Sequence, residues 1–143
     1  MLRPMRIGEW NDLGRARLLL QRQLGDLGAA EYAAHVTVNP ETGRQRIFVA
    51  TDTGLLDYTY QPVGSRADGE WILRGMLVRW ASVRGLRLQT DAQVDEETQA
   101  VRSVWRLVCE EPKIELVATS EDEDDRAVQA LLAFARACLQ QAE

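Results

Sequence analysis

Apolar residues alternate with polar ones through the middle of the chain and recur every third or fourth position near both ends. The sharpest alternation runs from Arg46 to Tyr60, where Ile47 and Val49, then Leu56, Tyr58 and Tyr60, fall at spacing two around Thr51-Asp52-Thr53-Gly54. Spacing two places side chains on one face of a strand, so the pattern predicts a β-hairpin. Gly54 is expected to close the turn with a positive φ, and Asp52 to bond the turn's own backbone. Further strands are predicted over 32–38, 71–80, 82–91, 99–110 and 114–119. Gly75 inside 71–80 predicts a bulge or bend there, and Gly85 a bend in 82–91. Both faces of 99–110 carry apolar residues, as a central strand requires. Turns are expected at Asn39-Pro40-Glu41-Thr42-Gly43, Asp95-Glu96-Glu97 and Glu111-Pro112-Lys113, with a polar, flexible loop over 62–69.

Helical spacing marks the two ends. Trp10, Leu13, Ala16, Leu20, Leu24 and Leu27 form one stripe, widened by Leu18 and Leu19, and predict a helix over 9–28 that ends at Gly28. Val128, Leu131, Leu132, Ala135, Cys138 and Leu139 form another and predict a helix over 121–142. Ser120 and Glu123 have capping-box spacing, and the acids Glu121 to Asp125 suit the positive end of the helix dipole. That role accounts for the acidic run without a cation site. The expected architecture is α+β: one domain over 1–143, with an N-terminal helix at 9–28, seven antiparallel strands within 32–119 and a C-terminal helix at 121–142.

Composition narrows the function classes. The chain has 143 residues, 45% apolar and 27% charged, the balance of a soluble domain with one core. No apolar run approaches the ~20 residues of a membrane helix. The first ten residues, MLRPMRIGEW, hold no apolar segment of signal-peptide type, so a cytoplasmic location is expected. The net charge of −5 is uneven: residues 1–90 carry 12 basic and 9 acidic groups, residues 91–143 carry 5 and 13. A net acidic chain is a poor nucleic-acid ligand, so none is expected. Cys109 and Cys138 stand in apolar contexts without metal-ligand spacing and are expected as inert core thiols.

Seven strands closed by one amphipathic C-terminal helix resemble the pleckstrin-homology-like (PH-like) fold, and bacterial PH-like domains most of all. Ile47, Val49, Thr51, Asp52, Leu55, Leu56 and Tyr58 read like the second and third strands of those domains. Trp80-Ala81-Ser82-Val83-Arg84-Gly85-Leu86 resembles the strand pair that follows. The resemblance covers 32–142 and implies a seven-stranded barrel or sandwich of a four-stranded and a three-stranded sheet, with the helix plugging a corner. The N-terminal helix is extra. Many PH domains carry a Trp in the C-terminal helix; residues 121–143 have none, and Phe134 or Leu131 must fill that place. Phosphoinositide-binding members use a basic-x-basic step after a basic first strand. Arg44-Gln45-Arg46 has the step and makes Arg44 and Arg46 candidate anion-binding residues, although 32–38 offers only His35 before it.

No nucleophile–base pair, phosphate loop or ligand cluster is legible, so no catalytic, metal or cofactor residue is assigned and an enzyme is not expected. His35 has no Ser or Cys beside it; Asp52 and Asp57 are a carboxylate pair only if the hairpin sets them together. Trp71, Trp80 and Trp105 fall on strands, where core packing is their first use. The expected function is a non-enzymatic interaction module that takes a protein or peptide partner at a sheet edge beside the C-terminal helix. The alternatives are an immunity- or antitoxin-like neutraliser, whose acidic part from Asp91 onward masks a basic partner, and a membrane-surface adaptor using 9–28 with Arg44 and Arg46. A PH-like core already has its closing helix, so the second apolar helix predicts a homodimer through residues 9–28.

Overall fold

The structure is a computed structural model that describes residues 16–64, 69–121 and 125–142. Within them the chain is α+β, with two antiparallel sheets of four and three strands and two α-helices. It divides after Trp80 into two compact units. Trp10, Leu13, Glu123 and the centre of the 62–69 loop lie outside the described residues.

The first unit holds α1 (Ala16–Leu27), β1 (Glu31–Val38), β2 (Gln45–Thr51), β3 (Gly54–Pro62) and β4 (Trp71–Arg79), the strands in the order β1-β2-β3-β4. One face of the sheet receives the helix. Ala16, Leu20 and Leu24 pack with Ile47, Val49, Leu56, Tyr58, Tyr60 and Leu73. The i, i+4, i+8 spacing of the three helical residues makes this possible, and burying each leucine contributes roughly 1.5–3 kcal/mol. The expected stripe is therefore narrower than its apolar composition suggests. Leu18, Leu19 and Leu27 do not join it and stand exposed, Leu18 at 76%. Ala16, Leu20 and Leu24 of the stripe are spent on the chain's own sheet, and Leu27 is not.

The hairpin forms where the alternation placed it, with Ile47 opposite Tyr58 and Val49 opposite Leu56. Its turn is built by a different residue. The fully buried Thr51 hydroxyl donates to the Gly54 carbonyl at 2.8 Å and accepts from the amides of Thr53 and Gly54 at 3.2 and 3.1 Å. Asp52 reaches away, accepting the Ala30 amide at 3.0 Å, so it ties the turn to the start of β1. Gly54 is not among the positive-φ glycines. It is glycine because a Cβ there would lie 2.4 Å from the Val78 carbonyl oxygen on β4. Gly75 likewise marks no bulge. The β3–β4 register runs unbroken from Pro62↔Trp71 to Gly54↔Arg79, and the Tyr58 ring lies over Gly75 where a Cβ would stand.

A 3-10 turn, Trp80–Ser82, leads out of the first unit. Trp80 is anchored backwards, its Nε1–H donating to the Thr51 carbonyl at 2.8 Å. The second unit holds β5 (Arg87–Val94), β6 (Val101–Cys109), β7 (Ile114–Glu121) and α2 (Arg126–Gln141). β6 is central, as its two apolar faces predicted, and the chain bends at Gly85, as expected. The packing of α2 on β7 and β6 buries Val128, Leu131, Phe134, Ala135, Ala137 and Cys138. Leu132 and Leu139 are only half-buried, so the inward face is turned toward Phe134 and Ala137.

The helix starts later than the capping box placed it. Ser120 belongs to β7, paired with Ser103, and Glu121 is paired with Arg102. The residue before the helix is Asp125, whose side chain makes no capping bond with the helix amides. The alternation of 114–119 continues for two more residues, and ladder bonds to β6 outcompete an early helical turn.

Candidate functional site

β5 is the strand with least cover. Its sequence, RLQTDAQV, offers only Leu88 and Val94 as large apolar side chains, and every residue of the strand except Leu88 is exposed. It forms because β6 supplies a full ladder, Arg87↔Val108 through Val94↔Val101. The Asp95 side chain steadies the connecting turn by accepting the amides of Glu97 and Thr98 at 2.9 and 3.2 Å. β5 ends the sheet order β5-β6-β7 and pairs with no other described strand. One row of its amides and carbonyls is therefore without a strand partner. Natural edges are blunted by charged side chains, Lys above all, by Pro, by bulges or by cover; β5 carries one charge of each sign, Arg87 and Asp91. β5 has no Lys, Pro or Gly, and its register is continuous.

The two faces of this edge differ. On the side of the buried Leu107 and Leu116, β5 presents Leu88, Thr90, Ala92 and Val94 opposite Leu107, Trp105, Ser103 and Val101. Val94 and Val101, at 57% and 53% exposure, leave an apolar tip beside the half-buried Trp105. The other side presents Arg87, Gln89, Asp91 and Gln93 opposite Val108, Arg106, Val104 and Arg102. A shallow cleft of about 460 Å³ opens there, lined by Asp91, Ala92, Gln93, Arg102, Val104 and Arg106. Its charges are cross-linked: Arg106 Nη1 lies 3.3 Å from Asp91 Oδ2, its Nε lies 4.0 Å from Glu115, and Arg87 lies 3.5 Å from Glu110. Such exposed pairs contribute little and can exchange partners at small cost.

The residues singled out in the sequence are dispersed. Arg46 on β2 is engaged by Asp57 on β3, with Nη2 to Oδ2 at 3.0 Å and Nε to Oδ1 at 3.3 Å, and its guanidinium stands 4.7 Å from the Phe48 ring centre. Arg44 is exposed in the turn before β2 and forms no ion pair among the described residues. The two arginines, separated by Gln45, thus differ: Arg46 has a carboxylate of its own and Arg44 stands in the turn. Asp57 belongs to that pair and Asp52 to Ala30, so they do not act together. His35 lies opposite Phe48 on β1, and burial holds its pKa below the ordinary imidazole value. Both cysteines are buried in the second unit. Burial first, and Cys109 second, push the Cys138 thiol up to about 12. Cys109 is raised by burial too, and its Sγ lies 3.2 Å from the carbonyls of Arg84 and Glu111. Thiols so raised are poor nucleophiles. Trp71 stacks beside Tyr60 with ring centres 5.1 Å apart, a packing role.

Sequence reasoning pointed to an edge beside the C-terminal helix; α2 packs on β7 and β6, so that edge is β7, and the bare edge, β5, is the opposite edge of the sheet. The signal for β5 was present as a thinning: between the bend at Gly85 and the acidic turn, the alternation has only Thr90 and Ala92 between Leu88 and Val94. No helix among the described residues is long and apolar enough to cross a membrane. No family model, curated protein or solved structure matches the chain.

Proposed function

We propose that the chain is a PH-like, non-enzymatic interaction module that takes an extended segment of a protein partner as an added strand on β5. The observation that carries this reading is the bare edge of β5, with its amides and carbonyls available over eight residues. Main-chain bonds to such an edge supply affinity, and alternate side chains of the guest meet the two faces and supply specificity. The apolar tip at Val94 and Val101 selects a β-branched or aromatic residue, and the Arg–Asp face selects charged ones. The PH-like assignment is supported by four strands followed by three and a terminal helix packed on the second sheet, in agreement with the resemblance at Ile47–Tyr58 and Trp80–Leu86.

The test uses the full chain as bait in a native lysate, followed by amide hydrogen exchange with and without the captured partner. Protection is expected over Arg87–Val94. Protection confined to other segments, such as Arg44–Arg46 or the exposed face of α1, overturns the reading.

A further inference from the structure

We infer that, without a heterologous partner, a second copy of this chain occupies the same edge, β5 pairing antiparallel with β5 about a two-fold axis through Gln89. The inference rests on the reading of β5 as an open strand-addition edge and adds a specific occupant and register. A two-fold axis that relates neighbouring antiparallel strands runs perpendicular to the sheet. It keeps each face on its own side, so it must lie between a residue and that residue's own copy, by which it is named, and pair odd positions with odd and even with even.

Four central residues can set that axis with at least five facing positions in β5, and the charges discriminate between them; an axis through Ala92 pairs Asp91 with Gln93 and makes no contact of opposite charge. An axis through Asp91 sets that carboxylate against its own copy. An axis through Thr90 pairs Arg87 with Gln93 and Gln89 with Asp91. An axis through Gln89 pairs Arg87 of each copy with Asp91 of the other, so one contact of opposite charge is made twice. Both groups are available, with side chains 54% and 73% exposed. Asp91 uses Oδ2 toward Arg106 and has Oδ1 left to receive a second guanidinium. On the opposite face the same register sets Leu88 against Thr90, and on the axis Gln89 meets its copy, amide to amide.

The other sheet edges lack this self-complementarity. β4 carries Arg74 and Arg79 with no acid, and β7 carries Glu115 and Glu121 with no base. β1 has no Lys or Arg and is interrupted by a register shift between Glu31 and Ala33. Pairing either β4 or β7 with its own copy brings only like charges to the joint, whereas β5 holds both signs at the spacing a two-fold axis needs. Five facing residues make a small interface, so the dimer is weak and concentration-dependent, and a longer guest strand displaces it.

Sedimentation velocity over a concentration series of the full chain, with Arg87→Asp, Asp91→Arg and the double swap, tests this. Each single reversal is expected to weaken dimerisation about tenfold or more by setting like charges opposite each other twice. The double swap is expected to restore it, which separates charge register from a folding defect. A chain that stays monomeric throughout overturns the inference, as does a dimer insensitive to both reversals or one that the double swap fails to rescue. Self-pairing fails in those cases on its own account. Strand addition by another protein is judged separately, by amide protection over Arg87–Val94.

Discussion

Thr51 is the one fully polar side chain buried among the core residues of the described structure, and it shows how a single hydroxyl can organise a turn. It bonds three backbone groups of the hairpin while its own carbonyl accepts Trp80, so the buried hydroxyl is fully engaged by the turn it organises. Gly75 works by subtraction. The Tyr58 ring fills the space a side chain would need, with ring carbons as close as 2.2 Å to a Cβ position. Gly75→Ala is expected to force the buried ring aside and cost about 1–3 kcal/mol, measured as a lower urea midpoint with unchanged slope. Gly85→Ala would be a poor control, since that residue has a φ of +70°; Gly25, with open space around it, is the better one.

His35 sets a pH dependence at the same scale. Its folded pKa lies below the ordinary 6.5 because burial disfavours the imidazolium. The unfolded chain therefore binds the proton more readily. Stability contributed by neutral His35 is fully present above pH 6.5 and is lost as pH falls from there through the folded value. The urea midpoint is expected to fall between neutral pH and pH 5, and His35→Gln is expected to flatten that part of the profile. A wild-type slope retained in the variant assigns the effect elsewhere.

At the scale of elements, the two helices use one rule with different outcomes. α1 buries a thin stripe and leaves leucines outside, whereas α2 buries six residues of its sixteen. Leu131, fully buried on α2, has no room for a charge. Leu131→Asp is expected to destabilise the second unit by several kcal/mol, through loss of apolar contacts and a desolvated carboxylate. The thiols of Cys109 and Cys138 report it directly. They are expected to resist a thiol reagent at pH 8 in the parent and to react in the variant without denaturant. A variant as protected as the parent would show that α2 does not seal that core. Strand β5 marks the opposite extreme, an element held by its ladder and little else. Its weak apolar pattern is the reason its limits, 87–94, lie later than the 82–91 that alternation suggested.

At the scale of the molecule, charge and edges decide what associates with what. Most of the acidity lies beyond residue 90, yet the face of β5 and β6 in that region is balanced by Arg87, Arg102 and Arg106. A patch of mixed sign favours a guest of defined register over indiscriminate capture of basic partners. The order and type of the elements, the central place of β6, the hairpin at Thr51–Gly54 and part of each inward helix face (Ala16, Leu20 and Leu24; Val128, Leu131, Ala135 and Cys138) were legible in the chain, because each depends on local periodicity and turn chemistry. Only the tertiary structure decided why Gly54 and Gly75 are glycines, why Ser120 extends a strand when it could cap a helix, which carboxylate holds Arg46, and which edge is bare. Those depend on groups brought together from distant positions: a carbonyl of β4, a ring of β3, a ladder partner on β6. The spacing of residues along one strand carries no record of them.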